Sequence, residues 1–84
     1  MSTRIGVIGA GYVGLVTGAC MASLGHEVTL RDIAPDKVGM IQAGEPPIHE
    51  DGLKELMGSC EGRLHATLDL AQMLAASEIV FIAV

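Results

Sequence analysis

Ile5-Gly6-Val7-Ile8-Gly9-Ala10-Gly11-Tyr12-Val13-Gly14 is the stretch that decides the fold of this 84-residue chain. A short apolar run passes directly into Gly-x-Gly-x-x-Gly, and an acid, Asp32, follows about eighteen residues past the last glycine. Each glycine has a separate reason to be there. Gly9 suits a tight strand-to-helix turn, Gly11 lets the backbone approach a pyrophosphate, and Gly14 lets the new helix lie close on the sheet. The first N–H groups of that helix and the positive end of its dipole face the same spot, so an anion is held there without a basic side chain. That matters in a chain of formal net charge -5.

The glycine pattern by itself is weak, because a glycine-rich turn that opens a helix and binds nothing has the same letters. Its surroundings separate the two readings. Arg4 to Ile8 reads as a buried strand, Tyr12 to Leu24 as a helix with Gly25 as its stop, and Glu27 to Arg31 as a second strand that ends at Asp32. Strand, glycine turn, helix, strand and acid together predict a dinucleotide half-site. A carboxylate at the end of the second strand accepts hydrogen bonds from an adenosine ribose and repels a 2′-phosphate, which favours NAD over NADP. Arg31 alternates to the other side of the strand and reads as a solvated or packing residue rather than a phosphate reader. The motif alone leaves FAD open.

Composition sets the remaining bounds. Half of the residues are hydrophobic, which suits a globular domain, but 84 residues bury only a small core and are few for a complete doubly wound domain. Ten acids against five bases, with no basic cluster or aromatic ladder, argue against a nucleic-acid partner. No apolar run reaches the roughly eighteen residues of a membrane span, and the start lacks the basic region of a secretory signal, so a cytoplasmic protein is expected. Cys20 and Cys60 read as free structural thiols, Cys20 as a small buried side chain in the first helix. The histidines at 26, 49 and 65 have no metal-ligand spacing.

Along the chain, Gly14, Gly18 and Ala22 make a stripe of minimal bulk on the first helix, its predicted close-contact face. Pro35 opens a second helix that Gly44 ends; Ala34 is a poor cap and Gly39 weakens the interior. An ordered connection at 45–52 leads to a short helical turn, Leu53 to Met57. Leu64 to Thr67 suits a third strand, Asp69 caps a helix through Leu74, and Ile79 to Ala83 forms an apolar fourth strand without alternation. Right-handed crossovers and the usual doubly wound order then give an α/β, Rossmann-like doubly wound parallel sheet of order 3-2-1-4, cut off after the fourth strand. That strand becomes an apolar, uncharged edge, a pairing hazard that predicts marginal stability or self-association through 79–83.

Two further runs carry a family likeness. Gly6-Val7-Ile8-Gly9-Ala10-Gly11-Tyr12-Val13-Gly14-Leu15 with Gly25-His26-Glu27-Val28-Thr29, followed by Pro47-Ile48-His49-Glu50-Asp51-Gly52-Leu53, resembles the start of the UDP-glucose/GDP-mannose 6-dehydrogenase family over essentially all 84 residues. The resemblance implies that residues 1–84 are the N-terminal part of an NAD-binding Rossmann domain. It implies that Gly9, Ala10, Gly11, Tyr12, Val13 and Gly14 hold the NAD pyrophosphate, that Asp32 binds the adenosine ribose, and that Lys37 lies beside the adenosine end. It also implies two successive NAD-dependent oxidations of a nucleotide-sugar C6 alcohol to a carboxylate, through an aldehyde and an enzyme thioester. The thioester cysteine of the family lies far downstream and neither Cys20 nor Cys60 matches it, so this chain holds no catalytic residue, meets its nucleotide-sugar substrate only through a later part, and is expected to be inactive alone. His49, Asp51 and Ala34 stand where the family usually has Tyr, Pro and Asp, which bears on loop shape and capping. Two other readings stay open: a hydroxyacyl-CoA or hydroxyacid dehydrogenase domain, against which Pro47 to Leu53 speaks, and a non-catalytic nucleotide-binding module.

Overall fold

Alternating strand and helix patterns fold into one parallel sheet in the computed structural model, which describes residues 2–84. The strands are β1 (Arg4–Ile8), β2 (Glu27–Arg31), β3 (Leu64–Thr67) and β4 (Ile79–Ile82), in the order β3-β2-β1-β4. The helices are α1 (Tyr12–Ser23), α2 (Pro35–Gln42), α3 (Leu53–Gly58) and α4 (Leu70–Ala75). All neighbours pair in parallel, with Val7 beside Leu30 and Phe81, and Leu30 beside Ala66. This is the doubly wound arrangement and strand order expected from the sequence.

Successive residues of a strand face opposite sides, so the sheet splits its side chains between two helix layers. Ile5, Val7, Val28 and Leu30 form one buried layer with Leu15, Ala19 and Ala22 of α1. The small-residue stripe is what lets α1 approach. A Cβ on Gly18 would sit 2.9 Å from Leu30 Cδ2 and 3.2 Å from Val28 Cγ1. On the other side Gly6 leaves room for α4, since a Cβ there would strike Met73 Sδ, and Met73 is fully buried. The segment between α2 and α3 returns the chain to α1, where Leu53 and Met57 join the same core.

The end signals act as the sequence predicts. α1 stops with Gly25 at φ +107°, and α2 stops with Gly44 at φ +79°, in the left-handed region that glycine tolerates. The Asp69 side chain caps α4 by accepting from the Gln72 N–H at 3.0 Å. Ala34 at the start of α2 supplies no side-chain cap.

One expectation is corrected. Cys20 is exposed, while Cys60 is buried. The buried positions of α1 are Gly14, Leu15, Gly18, Ala19 and Ala22, a narrow stripe, and Cys20 lies two residues from Gly18 and so about 200° round the helix. Cys60 sits under α1, its thiol donating to the Ala19 carbonyl at 3.3 Å. Burial raises its pKa, which suits an inert packing thiol.

Candidate cofactor-binding site

The C-terminal ends of β1 and β2 place the glycine loop and Asp32 side by side. Gly9 makes the turn at φ +104°, and its N–H donates to the Arg31 carbonyl at 2.8 Å, tying the loop to the end of β2. A Cβ on Gly9 would also lie 2.7 Å from the Ala83 carbonyl oxygen, so backbone crowding and backbone conformation both require glycine. Gly14 is closed from below, because a Cβ there would strike the Gly9 carbonyl oxygen. Gly11 is the opposite case. A Cβ there would meet nothing within 4 Å, so the loop faces open space at that residue.

That space is a cleft of about 540 Å³ bordered by Gly9 and Gly11 on one side and by Asp32, Ile33, Ala34 and Lys37 on the other. Ile8 and Arg31 close its floor, with Ala83 and Val84 at the β4 end. The Tyr12, Val13 and Gly14 N–H groups precede the first bond of α1, Leu15 N–H to the Gly11 carbonyl at 2.9 Å, and so have no acceptor within the helix. They are the donors an anion needs, and α1, at 12 residues, adds its dipole.

Asp32 is held in place from two sides. Oδ2 accepts the Ala10 N–H at 2.8 Å and Oδ1 accepts the Ala34 N–H at 2.9 Å. Burial pushes its pKa up, but these two N–H groups, the Lys37 charge and the Ile33 N–H outweigh it and hold the carboxyl below its ordinary value. Asp32 is therefore ionised at neutral pH. Each oxygen uses one lone pair on the backbone and keeps another for a hydroxyl donor.

The predicted site residues divide into three groups. Gly9, Gly11, Asp32 and Lys37 border the cleft, and Ala10 reaches it through its N–H bond to Asp32. Tyr12 and Val13 offer their backbone only. Their side chains are exposed, and Tyr12 lines a separate hollow with Glu50, Asp51 and Gly52. Gly14 is buried beneath the loop. Arg31 also borders the cleft, where strand alternation had put it on the other side, but its Nε donates to the Leu68 carbonyl at 3.2 Å, which agrees with a packing role. Sequence reasoning missed Ile33, which is 77% exposed at the cleft wall. An isoleucine just past a strand end, with no neighbouring strand to cover it, is the signal that could have flagged it. The residues present fit a dinucleotide: open space at Gly11, free N–H groups at the start of α1, and an ionised carboxylate with spare lone pairs.

The NAD binding domain model of the UDP-glucose/GDP-mannose dehydrogenase family matches residues 3–84. The chain belongs to this family. The match runs through Pro47 to Leu53, the run that speaks against a hydroxyacyl-CoA or hydroxyacid dehydrogenase, and it makes NAD the cofactor of the domain. A UDP-glucose 6-dehydrogenase of Rhizobium meliloti is 48% identical over 83 residues, 96% of this chain and 19% of that protein. The UDP-glucose dehydrogenase structure from the hyperthermophilic archaeon Pyrobaculum islandicum superposes with a TM-score of 0.94 at 38% identity, covering 100% of this chain and 20% of that one. A GDP-mannose dehydrogenase from Pseudomonas aeruginosa, solved as a ternary complex, gives 0.92 at 38% identity, with 96% and 19% covered. The chain thus spans about one fifth of the length of the relatives it matches. Among the described residues no helix is long and apolar enough to cross a membrane.

Proposed function

We propose that residues 1–84 supply the first part of the NAD site of a nucleotide-sugar 6-dehydrogenase, with UDP-glucose or a related sugar nucleotide as substrate. The observation that carries this reading is the cleft between the glycine loop and Asp32, with its open space at Gly11 and its doubly held carboxylate. In this reading the Tyr12, Val13 and Gly14 N–H groups bind the pyrophosphate, Asp32 accepts the ribose hydroxyls, Lys37 adds a positive charge at the adenosine end, and Ile33 offers an apolar wall to the base. NAD, when bound, supplies the hydride acceptor for oxidation of the sugar C6 alcohol. Two such oxidations give the carboxylate.

The chain alone binds without turnover in this account. Cys60 is buried with a raised pKa, Cys20 lies on the exposed side of α1, and neither borders the cleft. The exposed β4 residues, Ile82 at 72% above all, also support self-association of this chain through its 79–83 edge, in a cytoplasmic setting. Sedimentation that shows a compact monomer with a cooperative, high-temperature melt would overturn that part. NAD and NADP titrations of wild type and Asp32→Ala test the cofactor assignment. The variant should lose affinity for NAD more than for NADP, and equal losses would remove the ribose role from Asp32.

A further inference from the structure

We propose that Asp32 is a positioning residue as well as a cofactor ligand: its carboxylate braces the glycine loop against the start of α2 and sets the width of the cleft before any dinucleotide arrives. This goes beyond a ribose contact and does not depend on one. Three observations support it. First, the two oxygens are divided between two loops, Oδ2 to the Ala10 N–H at 2.8 Å and Oδ1 to the Ala34 N–H at 2.9 Å. Second, Ala10 is 1% exposed, so its N–H cannot turn to water if the carboxylate is lost and would remain buried without a partner. Third, the loop it steadies holds three glycines in six residues, Gly9 to Gly14, the least self-ordering sequence a turn can have.

A second contact makes the brace specific. The Gly9 N–H donates to the Arg31 carbonyl at 2.8 Å, so the loop meets the end of β2 at consecutive residues, once through backbone and once through the Asp32 side chain. The backbone contact fixes the loop along the strand. The side chain reaches the Ala10 N–H with Oδ2, while its Oδ1 holds the Ala34 N–H two residues on, just before α2. One carboxylate thereby orders the turn that leads into α2 and ties that turn to the glycine loop. An amide cannot do both, since it has one oxygen and turns an NH2 toward the other donor.

Hydrogen–deuterium exchange of the full chain without NAD tests the brace, comparing wild type with Asp32→Asn. The asparagine oxygen can hold only one of the two N–H groups, so exchange of the Ala10 amide, the Ala34 amide or both should rise about tenfold or more in the variant, with β3 amides unchanged. Unchanged exchange at both Ala10 and Ala34 would overturn the proposal. Should Asp32→Asn fail to fold, 15N-alanine-labelled wild type gives the answer by NMR. The Ala10 and Ala34 amides should titrate together with one midpoint below the ordinary 3.8, and an Ala10 amide that does not follow the Ala34 titration would overturn the brace. NAD titration of the same samples separates this inference from the cofactor reading. Loss of NAD affinity with unaltered exchange leaves Asp32 a ribose ligand only, whereas raised exchange in a chain whose wild type ignores NAD keeps the brace and removes the ribose role.

Discussion

The two sides of the sheet differ in pattern and in surroundings: β2 and β3 alternate apolar with polar residues, whereas β4 is apolar throughout. On the β2–β3 side, Val28 and Leu30 are fully shielded, α2 lies along β3, and the Gln42 Nε2 donates to the Ala66 carbonyl at 2.8 Å on the outer edge. On the β4 side, Ile79, Val80, Phe81 and Ile82 are all exposed although every one is apolar. Hydropathy makes a segment a strand, while the neighbours that topology provides decide whether it is buried. The cleft sits where the two sides meet, with Gly9 packed against the Ala83 backbone and tied to Arg31.

The largest effect is expected at that junction. Gly14→Ala places a Cβ against the Gly9 carbonyl, a backbone atom with no rotamer to yield, and should cost about 3 kcal/mol or more in denaturant unfolding while abolishing NAD binding. A variant that folds and binds NAD like wild type would show that the loop does not rest on α1.

Next comes the contrast itself. Leu30→Ala empties a fully buried site and should cost about 2–5 kcal/mol, whereas Ile82→Ala at a 72% exposed site should stay within about 0.5 kcal/mol. Equal losses would break the comparison, because they would mean that β4 is as well covered as β2.

The pH dependence sharpens it at the cleft. The folded Asp32 titrates below its ordinary value of 3.8, so as pH falls the unfolded chain takes up the proton first. Its contribution to stability is complete above 3.8 and is lost as pH falls through the folded value. Denaturation midpoints of wild type and Asp32→Asn should therefore differ near neutrality and converge in acid. A gap that persists at low pH would show that the carboxylate's charge is not what stabilises the loop.

The smallest effect is a gain. Gly39 lies inside α2, and a Cβ there meets nothing within 4 Å, so Gly39→Ala should raise stability by about 0.5–1 kcal/mol in a thermal melt. No gain would indicate that α2 is not helical at that residue in solution.

Much of this was legible because local chemistry and global fold agree. The glycine run, Gly25, Pro35, Gly44 and Asp69 each mark an element boundary by their own conformational preferences, and those boundaries, with right-handed crossovers and the usual doubly wound order, give the strand order. Contacts between distant segments were not legible. Nothing in Leu30-Arg31-Asp32 says that the Asp32 carboxylate reaches the Ala10 N–H, or that the Arg31 guanidinium takes the Leu68 carbonyl, because both depend on how loops from different strands converge. The burial of Cys20 was misjudged because its sequence neighbours are small and apolar, whereas the angle round the helix decides which side it occupies.

The central claim is that the glycine loop and Asp32 form an NAD site. Calorimetric titration of folded chain with NAD and, separately, NADP tests it most directly. The account predicts saturable binding of NAD and markedly weaker binding of NADP; a folded sample that binds neither, or binds both alike, would contradict it.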